Sequence, residues 1–116
     1  MEIQMREQDS IAILSLSGRL DLASGATLKE HLKRLTEEKT VQIHLNLAEV
    51  EFINSSGLGA LVSIMKEIRL LKGRLTLSNL ASYVQEIFEI TQLSHIFEIY
   101  ATEEEALASY QPVPSN

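Results

Sequence analysis

Residues 41–59, VQIHLNLAEVEFINSSGLG, decide how this chain folds. Val41, Ile43, Leu45 and Leu47 alternate with Gln42, His44 and Asn46, the two-residue period of a strand with one face buried and the other partly wet. The segment Val50 to Ile53 then crosses back toward the core. Asn54-Ser55-Ser56-Gly57 opens a helix, because short polar side chains satisfy the amides that a helix start leaves unpaired, and Ser55 is read as the cap. Beyond it, Leu58, Leu61, Val62, Met65 and Ile68 recur at helical spacing, with Lys66, Glu67 and Arg69 outside the stripe. Ile64, Leu70 and Leu71 widen the apolar face and predict the most buried helix of the chain. Lys72-Gly73 closes it, a cation near the negative helix end and then a glycine free to adopt positive φ.

Upstream, Ile3 and Met5 alternate with Glu2, Gln4 and Arg6, and Gln8-Asp9-Ser10 reads as a turn into a second strand from Ile11 to Leu16. So short a link pairs the two strands antiparallel, and Gly18 is expected to end the second. Ser24 is the expected N-cap of a helix whose stripe is Leu28, Leu32 and Leu35, with Lys29, Glu30, Lys33 and Arg34 outside it. Downstream, Arg74 to Ser78 reads as a half-buried strand, and Leu80, Val84, Ile87 and Phe88 mark a third helix. Leu93, Ile96, Phe97 and Ile99 lead into a short strand near Phe97–Tyr100. Thr102 with Glu105 three residues later is a capping box for a last helix that turns Ala106, Leu107 and Tyr110 inward. Residues 111–116, QPVPSN, cannot continue that helix and are expected to fray as a flexible tail. The order β-β-α-β-α-β-α-β-α contains two strand–helix–strand crossovers, which place their strands parallel. The expected architecture is α/β: one domain over residues 1–110, a mixed, mainly parallel sheet of 4–5 strands with 4 helices largely on one face.

Composition narrows the function. With 116 residues the chain buries enough surface for a core without staples. Ten Lys and Arg against 16 Asp and Glu, a net charge of −6, argue against direct nucleic-acid binding, which depends on basic side chains displacing counterions. The absence of cysteine removes disulfides, thiolate nucleophiles and Cys-based metal sites. The longest apolar runs are only a few residues, and MEIQMREQDS has no apolar signal core, so the expectation is a soluble, cytoplasmic domain away from the membrane.

Catalytic motifs fail one by one. Gly57-Leu58-Gly59 begins like a dinucleotide loop, but the third glycine falls at Val62. A Walker loop needs Gly-Lys-Ser/Thr, and Lys72-Gly73 has the reverse order. A nucleophile elbow needs glycine at 53 or 54, where Ile53 and Asn54 stand. His31, His44 and His95 lack ligand spacing and read as ordinary surface or strand residues. Glu37-Glu38 and Glu103-Glu104-Glu105 read as solvated helix ends. No enzyme, metal or cofactor is expected.

The turn Ile53-Asn54-Ser55-Ser56-Gly57-Leu58-Gly59 remains, with two readings. One is a helix cap, with glycines permitting a tight entry. The other rests on redundancy: one side chain suffices to cap, yet three polar ones stand in a row before two glycines. A helix N-terminus tolerates an anion, so a serine there accepts a phosphoryl group without unfolding the domain.

Ser17-Gly18-Arg19-Leu20-Asp21 with Ser24 to Leu28, and His44-Leu45-Asn46-Leu47 running on to Asn54-Ser55-Ser56-Gly57-Leu58-Gly59, resemble a STAS domain, and more narrowly the bacterial anti-sigma-factor antagonists. The resemblance spans the first hairpin to about Ala108. It implies a binding protein that engages an anti-sigma factor, itself a serine kinase, and so frees a sigma factor. It implies Ser56 as the phosphoacceptor that switches binding off, and a serine phosphatase that restores it. ATP and divalent metal would belong to those partners. Asp21 and Ser24 match the family's neighbouring loop, and with Asn54, Ser55, Gly57, Leu58 and Gly59 they form the implied partner-binding set. One residue departs from the pattern: Asn54 stands where the family has an acid. The alternative is a STAS scaffold without phosphorylation, or an accessory module of a larger regulatory or transport assembly.

Overall fold

The computed structural model describes residues 1–110. β1 (Glu2–Gln8) and β2 (Ile11–Leu20) form an antiparallel hairpin with Gln8 opposite Ile11. Its two-residue turn, Asp9-Ser10, has positive φ at both positions, 53° and 67°. That is the primed turn whose twist matches a hairpin, and Asp and Ser tolerate it better than bulky residues. From β2 onward strands and helices alternate: α1 (Leu22–Glu37), β3 (Gln42–Ile53), α2 (Ser55–Leu70), β4 (Arg74–Ser78) and α3 (Ser82–Ile90). A single 3-10 turn, Leu93–His95, leads to β5 (Glu98–Tyr100) and α4 (Glu103–Ala108).

The five strands lie in chain order, β1-β2-β3-β4-β5, and β2 to β5 run parallel. There are therefore three helix crossovers rather than the expected two, because the short β5 joins β4 in parallel. β2 does not stop at Gly18. It bulges there, with Gly18 at φ 103° and a register shift against β3, then carries on to set Arg19 beside Phe52 and Leu20 beside Ile53. A residue with a Cβ would be strained at that φ, so the glycine redirects the strand rather than ending it. β3 likewise runs unbroken to Ile53, with Val50 and Ile53 buried along it.

Leu28, Leu32 and Leu35 of α1, Leu61, Met65 and Ile68 of α2, and Val84 and Phe88 of α3 share one core with Leu14, Leu45 and Leu77 of the sheet. Phe88 meets Phe97 edge-on, with ring centroids 5.5 Å apart. Leu70, expected to widen the buried face of α2, is 83% exposed, and Leu71 is also exposed. Both sit at the C-terminal end of α2, Leu70 as its last residue and Leu71 as its C-cap. Lys72, not Gly73, takes the left-handed backbone at φ 61°. Gly73 serves another need: a Cβ there would lie 2.3 Å from the Val41 carbonyl oxygen.

The opposite face is drier than the alternation of β3 suggests. His44 is fully buried, its Nδ1 2.7 Å from Thr76 Oγ1 and its Nε2 2.7 Å from Ser78 Oγ. Thr76 Oγ1 lies 2.9 Å from the Tyr110 hydroxyl, which donates to the Ile43 carbonyl at 2.7 Å. α4 lies over this face: Glu103 accepts a hydrogen bond from Asn46 Nδ2 at 3.1 Å and pairs with Arg6, and Ala106 is buried. Burial pushes the His44 imidazole down to about 4, so the ring is neutral at ordinary pH. As expected, Thr102 caps α4 by accepting the Glu105 amide at 3.1 Å, but among the described residues the Glu105 side chain returns no bond to the Thr102 amide, so the expected capping box is half formed. The expected frayed tail, 111–116, lies outside the described residues. Among the described residues no helix is long and apolar enough to cross a membrane.

Candidate functional site

β2 and β3 are parallel and end side by side, and each passes directly into a helix. The N-termini of α1 and α2 therefore emerge together at one rim of the sheet. Asp21 caps α1, its Oδ1 accepting the Ser24 amide at 3.1 Å, while Ser24 Oγ accepts the Asp21 amide at 2.9 Å. Ser24, expected as the cap, is thus the returning half of a capping box. It is buried, and its Oγ also donates to the Arg19 carbonyl at 2.7 Å. The Ser24 amide, then its hydroxyl, with a smaller contribution from Arg19, hold the Asp21 carboxyl below the usual carboxylate range. Asp21 is a charged cap.

Asn54, rather than Ser55, caps α2, its Oδ1 accepting the Gly57 amide at 2.9 Å. Its own amide donates to the Leu20 carbonyl at 3.3 Å, tying the second helix start to the end of β2. Asn54 wins because its side chain reaches the third helical amide from a position with extended backbone. Gly57 is held by space: a Cβ there would lie 2.1 Å from the Leu20 carbonyl oxygen. Gly25 permits a second close approach, since its Cβ would come 2.8 Å from the Cβ of Ala60. The first turns of the two helices are consequently packed together.

Ser55 and Ser56, the first two residues of α2, are exposed. Among the described residues no hydrogen bond engages either hydroxyl. Leu58 is half-buried against the core, and Gly59 is exposed with nothing within 4 Å of an added Cβ. The eight residues singled out in the sequence thus fall at one rim but divide in kind. Ser24 and Gly57 are buried framework, Leu58 is half-buried against the core, Asp21 and Asn54 are caps, and Ser55, Ser56 and Gly59 present themselves to solvent.

Three neighbours escaped sequence reasoning. Leu22, the first residue of α1, is 74% exposed, off the Leu28–Leu32–Leu35 stripe. Tyr83, on the first turn of α3, accepts the Ile53 amide on its hydroxyl at 2.8 Å while its ring stays exposed. Arg19 stacks its guanidinium 3.8 Å above the Phe52 ring centroid. A large apolar residue off its helical stripe was the available signal for Leu22 and Tyr83; the Ile53 contact has no trace in the sequence.

Chemically, the rim offers hydroxyls rather than an acid–base pair, and no group of three metal-ligating side chains occurs among the described residues. The first turn of α2 holds no acidic residue and its cap is neutral, so the positive end of the helix dipole is uncompensated by a carboxylate on that turn. An anion on Ser56 would sit where helix amides favour it.

The STAS domain family matches residues 2–106. The anti-sigma-B factor antagonist of Listeria monocytogenes is 33% identical over 105 residues, covering 90% of this chain and 91% of that protein. A crystal structure of a Thermotoga maritima protein superposes with a TM-score of 0.87 at 27% identity, covering 92% of each chain. SpoIIAA, a Bacillus cell fate determinant solved in its phosphorylated form, superposes with a TM-score of 0.73 at 24% identity, covering 95% of this chain and 100% of that one. The last likeness is one of fold.

Proposed function

The chain belongs to the STAS domain family, and we propose that it is an anti-sigma-factor antagonist switched by phosphorylation of Ser56. In this reading it binds an anti-sigma factor that is also a serine kinase, thereby freeing a sigma factor in the cytoplasm. The kinase modifies Ser56, the complex weakens, and a serine phosphatase restores the binding form. The domain is the acceptor, not a catalyst; nucleotide and metal act on the kinase side. The observation that carries the proposal is the exposed Ser56 hydroxyl at the second position of α2, on a turn fixed by Asn54 and Gly57. The relationship to anti-sigma-B factor antagonists supplies the partner class.

The size of the switch follows from charge. A phosphoryl group adds about −1.5 to −2 charges at neutral pH. Its helix amides offset that charge within the domain, whereas a partner packed over the rim must bury it. A tenfold loss of affinity needs only about 1.4 kcal/mol, which one desolvated charge supplies without refolding. Leu22, Leu58 and the Tyr83 ring give the rim the apolar contact that such a partner would cover.

A second reading, a scaffold that is never phosphorylated, draws on Asn54 in the place of the family's acid. Two measurements separate the readings. Ser56→Ala should retain a co-purifying kinase from the native host, and Ser56→Asp should lose it. Intact mass with and without phosphatase should show one removable phosphate, mapped to Ser56. Equal capture by both variants, with no phosphate under any growth condition, would leave the scaffold.

A further inference from the structure

β1 is the outermost strand of the sheet, and among the described residues nothing pairs with its outer side. A two-residue turn makes Gln8 and Ile11 the terminal hydrogen-bonded pair of the hairpin. By alternation, Gln8, Arg6, Gln4 and Glu2 direct their backbone groups toward β2, and Glu7, Met5 and Ile3 direct theirs outward. The side chains of Ile3 and Met5 lie opposite Leu16 and Leu14, on the core face. The row of apolar side chains on that face thus runs out to the edge, where Met5 is 47% exposed. An open edge ending in apolar side chains is a template for another strand.

We infer that this edge recognises a second copy of itself, the two β1 strands pairing antiparallel about a two-fold axis at Gln4. The register is constrained. Outward-directed residues must meet outward-directed residues, so Ile3, Met5 and Glu7 pair with one another or, past the start of the strand, with Met1. A centre at Met5 sets Ile3 against Glu7 and leaves Glu2 facing Gln8. A centre at Arg6 sets Arg6 against Arg6. A centre at Gln4 sets Ile3 against Met5 twice and Glu2 against Arg6 twice, joining apolar to apolar on the core face and acid to base on the other. Arg6 keeps Glu103 of its own copy, and its half-exposed side chain has donors left for the Glu2 of the second. The two copies of β2 then run in opposite directions, so the Ser56 rims lie at opposite ends of the joined sheet and stay open. The inference therefore stands or falls separately from the phosphorylation proposal.

Sedimentation equilibrium of the full chain tests it. The wild type is expected to show a concentration-dependent monomer–dimer equilibrium. Met5→Pro removes an outward amide and spares the ladder to β2, so it should raise the dimer dissociation constant by about tenfold or more with an unchanged circular dichroism spectrum. Glu2→Arg and Arg6→Glu should each weaken self-association, yet their mixture should form a heterodimer, because every Arg then faces a Glu. Should Arg6→Glu fail to fold for want of the Glu103 pair, Met5→Pro and Glu2→Arg decide between the outcomes. A wild type that remains monomeric across the concentration range overturns the inference. So does a dimer that Met5→Pro leaves intact, or one indifferent to Glu2→Arg.

Discussion

The starts of α1 and α2 share a plan and differ in finish. Each follows a parallel strand, each has an extended cap residue, and each cap accepts the amide three residues on. At α1 the cap is a carboxylate, the third helical residue is a buried serine, and its hydroxyl is committed to Asp21 and Arg19. At α2 the cap is an amide, the third residue is a glycine, and two serine hydroxyls face water unengaged. One turn spends its polar groups on its own backbone; the other holds its backbone with Asn54 alone and leaves hydroxyls to spare. On the function proposed above, that surplus is what separates a site from a cap.

The largest test of this contrast concerns the glycines of α2. Gly57→Ala drives a methyl into the Leu20 carbonyl and should cost about 3 kcal/mol or more in urea unfolding. Gly59→Ala meets open space and should stabilise by about 0.5–1 kcal/mol. Equal effects at the two positions would mean the helix starts are not packed as described. Next come the serines. Ser24→Ala leaves the Asp21 amide unpaired and should cost about 1–2 kcal/mol, whereas Ser56→Ala should stay within about 0.5 kcal/mol of wild type. A comparable loss at Ser56 would place its hydroxyl in the framework. The smallest effect on folding is expected from Asn54→Asp, which makes the second cap resemble the first. It should change stability by no more than about 0.5 kcal/mol while changing the rate of phosphorylation by the cognate kinase several times over. Identical rates would remove any role for the missing charge.

Much of the fold was legible because apolar spacing reports burial directly. The stripes of α1 and α2 and the alternation of β3 placed the helices, and Thr102 marked its cap correctly. The misreadings cluster where a residue answers to something distant in sequence. Gly18 looked like a terminator because its role is set by the register of β3. Ser24 looked like a cap because a capping box places polar residues at both ends of the turn, and only geometry says which leads. His44 looked wet because the residues that satisfy it, Thr76 and Ser78, arrive from another strand beneath α4. In the site itself, Asn54 to Gly59 was visible as a polar turn with glycines. Leu22 and Tyr83 carry no motif and left only the weaker signal of a large apolar side chain off its stripe, and only tertiary contact brings Tyr83 to Ile53.

The rim around Ser56 is assembled from separate stretches of chain: the end of β2 with the start of α1, the end of β3 with the start of α2, and the first turn of α3. No continuous peptide reproduces it. On the function proposed above, an enzyme that reads this surface acts only on molecules whose crossovers have already closed, and a misfolded copy, though its serine is bare, presents nothing to recognise. The regulatory mark would then be written only on chains competent to bind, and the count of marked molecules would track the folded pool rather than the amount synthesised.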